Sequence, residues 1–223
     1  MIKELSFRFY MKKLLLAIII ILLLSGALLY YLYTRITYTP DWFDSHQFDV
    51  NSQMLTQSKG TTSKIYSELT KNKSSIVDEN ELKDFILEKI NEKIPENSEK
   101  VIKALRSKIY PDKIVIESVI NLDEIPFNNL SPNYQNAVKK FISSFPQKSR
   151  QNFYIKISGK PNRTDKGIEL NENAKIQLGK MEYSVKTVIN QISDNNQLDT
   201  NIPLNELPFK NIHLEEGKII LED

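Results

Sequence analysis

The stretch AKIQLGKMEYSVKTVINQI, residues 174–192, changes its rule at a glycine. Before Gly179 the apolar residues fall on even numbers (Ala174, Ile176, Leu178), and after it on odd ones (Met181, Tyr183, Val185). Side chains along a strand alternate faces with period two, so one continuous strand can keep a single face inward through such a switch only by taking in an extra residue. A β-bulge with glycine at its first position supplies that residue, and the expectation is a bent strand running through Gly179. From Val185 onward the apolar residues Val188, Ile189 and Ile192 follow a helical period, with Ser184 at the helix entry. Strands and helices therefore alternate irregularly, which points to an α+β fold with helices packed on a curved, mostly antiparallel sheet.

Working outward, NFYIKISG (residues 152–159) alternates like a half-buried strand, with Phe153, Ile155 and Ile157 on one side. KPNRTDKG reads as turn material, and Ile168 to Leu170 resumes a strand. Upstream, Ser131-Pro132 gives an N-cap followed by proline at the first helical position, and Tyr134, Ala137, Val138, Phe141, Ile142 and Phe145 follow helical spacing until Pro146. IVIESVINL (114–122) is a β-branched strand after a turn at YPDK, and a second helix is expected from Ser98 to Ile109 with Ile102, Leu105 and Ile109 as its stripe. The first helix of the folded unit is the best specified. Asp78 and Glu81 have the spacing of a capping box, Val77 and Leu82 that of a hydrophobic staple, and Pro95 ends the run. The tail NIHLEEGKIILED is a hairpin turned at Glu215-Glu216-Gly217.

The N-terminal segment sets the class. From Leu14 to Tyr33 no charge occurs over 20 positions, a helix about 30 Å long and so able to cross a bilayer's hydrocarbon core. Lys3, Arg8, Lys12 and Lys13 precede it against the single acid Glu4, and only Arg35 follows closely, which by the positive-inside rule puts residues 1–13 in the cytoplasm and everything after residue 35 outside. Tyr30, Tyr31, Tyr33, Tyr38 and Trp42 gather at the outer end, where amphipathic rings suit the headgroup layer. A cleaved signal peptide is the competing reading, with Leu14 to Leu24 as its apolar region and Ser25-Gly26-Ala27 as its cleavage site; the apolar run continuing from Leu28 to Tyr33 favours an uncleaved anchor. Residues 34–75 are polar and read as a juxtamembrane linker with a short helix at Lys64–Lys71, and residues 76–223 as the extracytoplasmic domain.

Composition narrows the chemistry. There is no cysteine, hence no disulfide framework, thiolate metal site or thiol nucleophile. Against 30 Lys and Arg stand 28 Asp and Glu, and the basic excess belongs to the anchor's flank, so nucleic-acid binding has no electrostatic support. The two histidines, His46 in the linker and His213 in the closing hairpin, accompany no G-x-S-x-G elbow and no H-E-x-x-H. Six scattered glycines form no phosphate loop, and the pairs Asp123-Glu124 and Glu215-Glu216 point opposite ways if extended. Lys139-Lys140 with Lys148 and Arg150 form a basic edge that reads foremost as solvated surface. No cofactor or metal site is expected.

The unit Leu178-Gly179-Lys180-Met181, then Val185 and a helix through Val188, Ile189, Asn190 and Ile192, resembles the signature of the YpmS family of membrane-anchored bacterial proteins of unassigned function. The layout is similar too, with an N-terminal anchor and a first external helix opening at Glu81-Leu82; Ser184 stands where that family tends to have proline, and the helix at Pro132–Phe145 is additional. The resemblance implies a membrane-anchored extracytoplasmic α+β domain. The function expected is non-catalytic: binding of a lipid-like apolar ligand, in a groove between Tyr134, Phe141 and Phe145 and the strand at Met181 and Tyr183, or service as an accessory subunit of an envelope complex. Gly179, Asp78 and Glu81 are structural in either case.

Overall fold

A computed structural model describes residues 2–43, 60–93, 98–126, 132–164, 167–192 and 209–223. In chain order the helices are α1 (Ile2–Ile36), α2 (Thr61–Asn72), α3 (Glu79–Lys93), the one-turn α4 (Ser98–Val101), α5 (Pro132–Ser143), α6 (Gln147–Gln151) and α7 (Val185–Ile192). The strands are β1 (Ser74–Asp78), β2 (Ile102–Tyr110), β3 (Lys113–Ile120), β4 (Phe153–Gly159), β5 (Pro161–Thr164), β6 (Gly167–Leu170), β7 (Lys175–Leu178), β8 (Met181–Ser184), β9 (Asn211–Glu215) and β10 (Lys218–Glu222). They form a five-stranded sheet in the order β2-β3-β4-β7-β8, a three-stranded sheet β1-β10-β9 and the hairpin β5-β6. Every pairing is antiparallel, so the chain is α+β.

The parity switch at Gly179 has a different cause from the one expected. No bulge bends a single strand there; Gly179 and Lys180 are the two-residue loop of a hairpin in which Leu178 faces Met181 and Ile176 faces Tyr183. A two-residue loop pairs each even position with an odd one, so an apolar face shared by both strands must change parity at the turn. Gly179 has φ 61°, the positive value a primed turn requires at its first central residue.

Register assigns the faces of the large sheet. Ile109, Ile114, Ile116, Ile120, Phe153, Ile155, Ile157, Ile176 and Leu178 share one face. Against it pack Leu122, Ile142, Val138 and Phe145 at one end, and Leu82, Phe85 and Ile86 of α3 at the other. The opposite face carries Ala104, Arg106, Glu117, Val119, Tyr154, Lys156 and Gln177. The small sheet closes the same end as α3, burying Val77, Ile219 and Leu221 with Leu82, Ile109 and Ile114.

The expected helix from Ser98 to Ile109 is a single turn followed by β2. The misleading signal is itself structural. Between Ile102 and Ala104 the register against β3 slips by one residue, which brings Ile102 onto the same face as Leu105 and Ile109. The resulting spacing of three and then four imitates an amphipathic helix. Likewise the turn material KPNRTDKG contains β5, paired with β6 from Pro161↔Leu170 to Thr164↔Gly167. The supposed linker is also more than a tether: α2 buries Ile65 and Leu69 in the same cluster as Val77 and Leu82. Its first turn is held by Glu88 of α3, whose carboxylate accepts from the Thr62 amide at 3.0 Å.

The start of α3 is built as its sequence prescribes. The Glu81 amide donates to Asp78 Oδ1 at 2.9 Å and the Asp78 amide to Glu81 Oε2 at 3.2 Å, while Val77 and Leu82 are both buried. Replacing Asp78 by alanine should cost about 1 kcal/mol of unfolding free energy, read as a lower urea midpoint at unchanged slope; Asp78→Asn, which keeps the acceptor, should lose less.

Candidate functional site

Helix α1, uncharged from Leu14 to Tyr33, enters the folded unit without a spacer. Its apolar window, Ile19–Ile36, is long and apolar enough to span a membrane and is not covered by the rest of the protein. At its C-terminal end the last carbonyls need donors, and the β7–β8 turn provides one: the Lys180 amide donates to the Arg35 carbonyl at 2.8 Å. The Gly179 amide donates in turn to the Tyr154 carbonyl on β4 at 2.9 Å. A Cβ on Gly179 would stand 2.3 Å from the Arg35 oxygen and 3.1 Å from that of Ile36, so the approach requires the bare backbone as well as the positive φ.

Residues 37–43 then cross the polar face of the sheet as a strap. Tyr38 meets Tyr154 edge-on at 5.5 Å between ring centroids, Trp42 meets Phe43 edge-on at 6.3 Å, and all three of Tyr38, Trp42 and Phe43 pack on Ala104, Val119 and Tyr154. Two cations lie over strap rings: the Arg106 guanidinium 4.3 Å from the Trp42 centroid, and the Lys180 ammonium 4.6 Å from that of Tyr38.

Beneath the strap lies Glu117, which with Tyr154 makes up the buried ionisable side chains among the described residues. Arg106 reaches its Oε2 with both Nε and Nη2 at 2.7 Å, and the Tyr154 hydroxyl donates to its Oε1. Three donors thus serve both carboxylate oxygens, which is how a buried charge is tolerated. Burial, then the hydrogen bond to the Glu117 carboxylate, push the Tyr154 phenol well above its ordinary value; burial and the charges of Asp41 and Glu117 raise Tyr38 as well. Both phenols are thereby kept neutral. A carboxylate so occupied is a structural clamp and poorly placed to act as a general base.

The residues singled out from the sequence are distributed differently. Tyr134 and Phe141 lie on α5, but their side chains fall outside the described residues. Phe145, just past α5, packs edge-on against Phe153 at 5.1 Å between centroids, in a cluster that includes Leu178. Met181 is the cross-strand neighbour of Leu178, one strand farther out, and Tyr183 is exposed on the edge strand β8 with its hydroxyl 3.5 Å from Met181 Sδ. Asp78 and Glu81 form the cap described above. His213 is exposed, 3.5 Å from Glu222 across β9 and β10. No cluster of three or more metal-ligating side chains occurs among the described residues. Sequence reasoning missed Arg106, Glu117 and Tyr154; the available signal was a lone acid inside the β-branched run IVIESVI.

Two measurements probe this junction. Gly179→Ala should lower stability by at least about 1–2 kcal/mol, the cost of a left-handed alanine, and should speed hydrogen exchange at the Lys180 amide as the Arg35 contact opens. Because the Tyr154 pKa is raised on folding from 10.0, the unfolded state releases this proton first as pH climbs. The stability tied to Tyr154 is therefore complete below pH about 10 and falls above it by up to about 1.4 kcal/mol per pH unit. Denaturant titrations at rising pH should show that slope, and Tyr154→Phe should reduce it to the part Tyr38 contributes. No family model, curated protein or solved structure matches the chain.

Proposed function

We propose that the protein is a single-pass membrane protein, N-terminus inside, whose α+β domain is held against the outer surface of the bilayer and serves as a non-catalytic binding subunit of an envelope assembly. The observation that carries this reading is the hydrogen-bonded, glycine-dependent contact between the end of α1 and the β7–β8 turn. An enzyme that merely needs a tether gains nothing from fixing the orientation of its domain to its anchor, whereas a subunit that must present one surface at a set height does. The excess of Lys3, Arg8, Lys12 and Lys13 over Glu4 supports the orientation. The use of Glu117 as a clamp supports a binding role over a catalytic one. The resemblance of the β7–β8–α7 unit to the YpmS signature fits the same reading, since that family is membrane-anchored.

The apolar-ligand version of the binding role is supported less well. Phe145, expected to line its groove, closes on Phe153, and Tyr183, opposite Ile176 on the apolar face, stands exposed at the sheet's edge.

Crosslinking of the full-length chain in native membranes, followed by detergent extraction, tests the proposal. A discrete partner band that survives extraction and is lost in Gly179→Ala is the expected result. Native mass spectra of the extracted protein that show a lipid-sized mass removed by organic solvent, and no protein partner, would overturn it in favour of a carrier.

A further inference from the structure

The height of the anchor's junction relative to the bilayer can be worked out, and it places two cations. This step rests on the reading of α1 as a membrane span. The uncharged run ends at Tyr33, and Arg35 lies two residues on, about 3 Å farther along the helix axis. The Lys180 amide is bonded directly to the Arg35 carbonyl, so the β7–β8 turn sits at that same level. The headgroup layer is roughly 5–8 Å thick on each side of the hydrocarbon core. Arg35 and Lys180 therefore enter it together, brought there from positions far apart in the sequence.

Their environment suits that layer. The Arg35 guanidinium lies 5.0 Å from the Tyr31 centroid, and the Lys180 ammonium 4.6 Å from that of Tyr38. Cations stacked on tyrosines at a helix end have the character of an interfacial anchor. Arg35 Nη1 also approaches the Lys180 carbonyl at 3.5 Å, so the guanidinium lies against the backbone of the β7–β8 turn. Among the described residues neither forms an ion pair with a carboxylate, Asp41 of the adjoining strap included. Each keeps donors for an anion. The same end of the sheet carries Lys100 on α4, before β2, and Lys148 on α6, before β4, both exposed, together with exposed Glu99, Asp123 and Glu124. Asp123 is paired with Arg150 at 3.3 Å.

We infer that Arg35 and Lys180 together form a binding site for the phosphate of an anionic phospholipid in the outer leaflet, so that the domain is fixed to the membrane at a second point beside its anchor. The bound phosphate also bridges α1 to the β7–β8 turn, reinforcing the amide–carbonyl contact beneath it. The alternative role for the two cations is to offset the negative end of the α1 dipole, which needs no lipid.

Native mass spectrometry of the full-length chain, released from mixed micelles of phosphatidylglycerol and phosphatidylcholine in equal amounts, separates the two roles. The wild type should retain phosphatidylglycerol in preference to phosphatidylcholine. The preference should fall about fivefold in Lys180→Gln and again in Arg35→Gln, and should return in Lys180→Arg; melting curves confirm that each variant is folded. An unchanged preference in a folded double variant would overturn the lipid site and leave the dipole role. Alkaline carbonate extraction of vesicles holding the wild type tests the span independently. Protein retained in the bilayer without lipid preference would sink only the phosphate site, whereas protein stripped from it would sink the span and the site together.

Discussion

The structure turns on a place where a side chain is missing. The Arg35 carbonyl occupies the volume a Cβ on residue 179 would need, and the backbone there has a positive φ. One glycine thus meets two demands, reversing the chain between β7 and β8 and letting a helix end close against the turn. From this contact the strap 37–43 is aimed across the sheet, and from the strap comes the cover over Glu117. Without the close approach, Tyr38, Trp42 and Phe43 would have no fixed starting point, and the polar face of the sheet would meet solvent.

The cover has an electrostatic consequence. A carboxylate removed from water is costly unless donors replace its hydration, and Arg106 and Tyr154 do so at Glu117. The replacement is specific to one arrangement of the strap, because Arg106 also lies over Trp42 and Tyr154 against Tyr38. Removing Arg106 would leave a buried charge with the Tyr154 hydroxyl in place of three donors, which is worse than removing both partners. The polar face is thus selective about what covers it. An apolar segment lacking the rings at 38 and 42 would bury the same surface without completing the network.

Much of this was legible in the residues, and the failures have a common cause. The cap at Asp78 and Glu81, the helix starting at Pro132, the closing hairpin and the apolar span are written in short-range chemistry, where a residue and its partner lie within a turn of one another. Gly179 was read correctly as the point of change and wrongly as a bulge, since a bulge and a two-residue loop leave the same parity signature in one strand's sequence. Only the partner strand distinguishes them. The slip between Ile102 and Ala104 did the reverse, giving a strand the spacing of a helix. The junction was the least legible part, because it joins Arg35 to Lys180, Tyr38 to Tyr154 and Arg106 to Trp42 across long stretches of chain. No local pattern encodes such pairs.

The pairing of β1 with β10 governs the order in which the chain can acquire its shape. Residues 74–78 find their strand partner only at 218–222, yet Val77 shares a core with α2 and α3 on the near side of that long interval. During synthesis the apolar face of α2, β1 and α3 emerges well before the strands that cover it. Non-local contacts of this kind form slowly, and the uncovered surface is prone to wrong association in the meantime. A helix already lodged in a bilayer would hold each nascent copy apart from its neighbours during that delay, so tethering would serve assembly of the protein as well as its address.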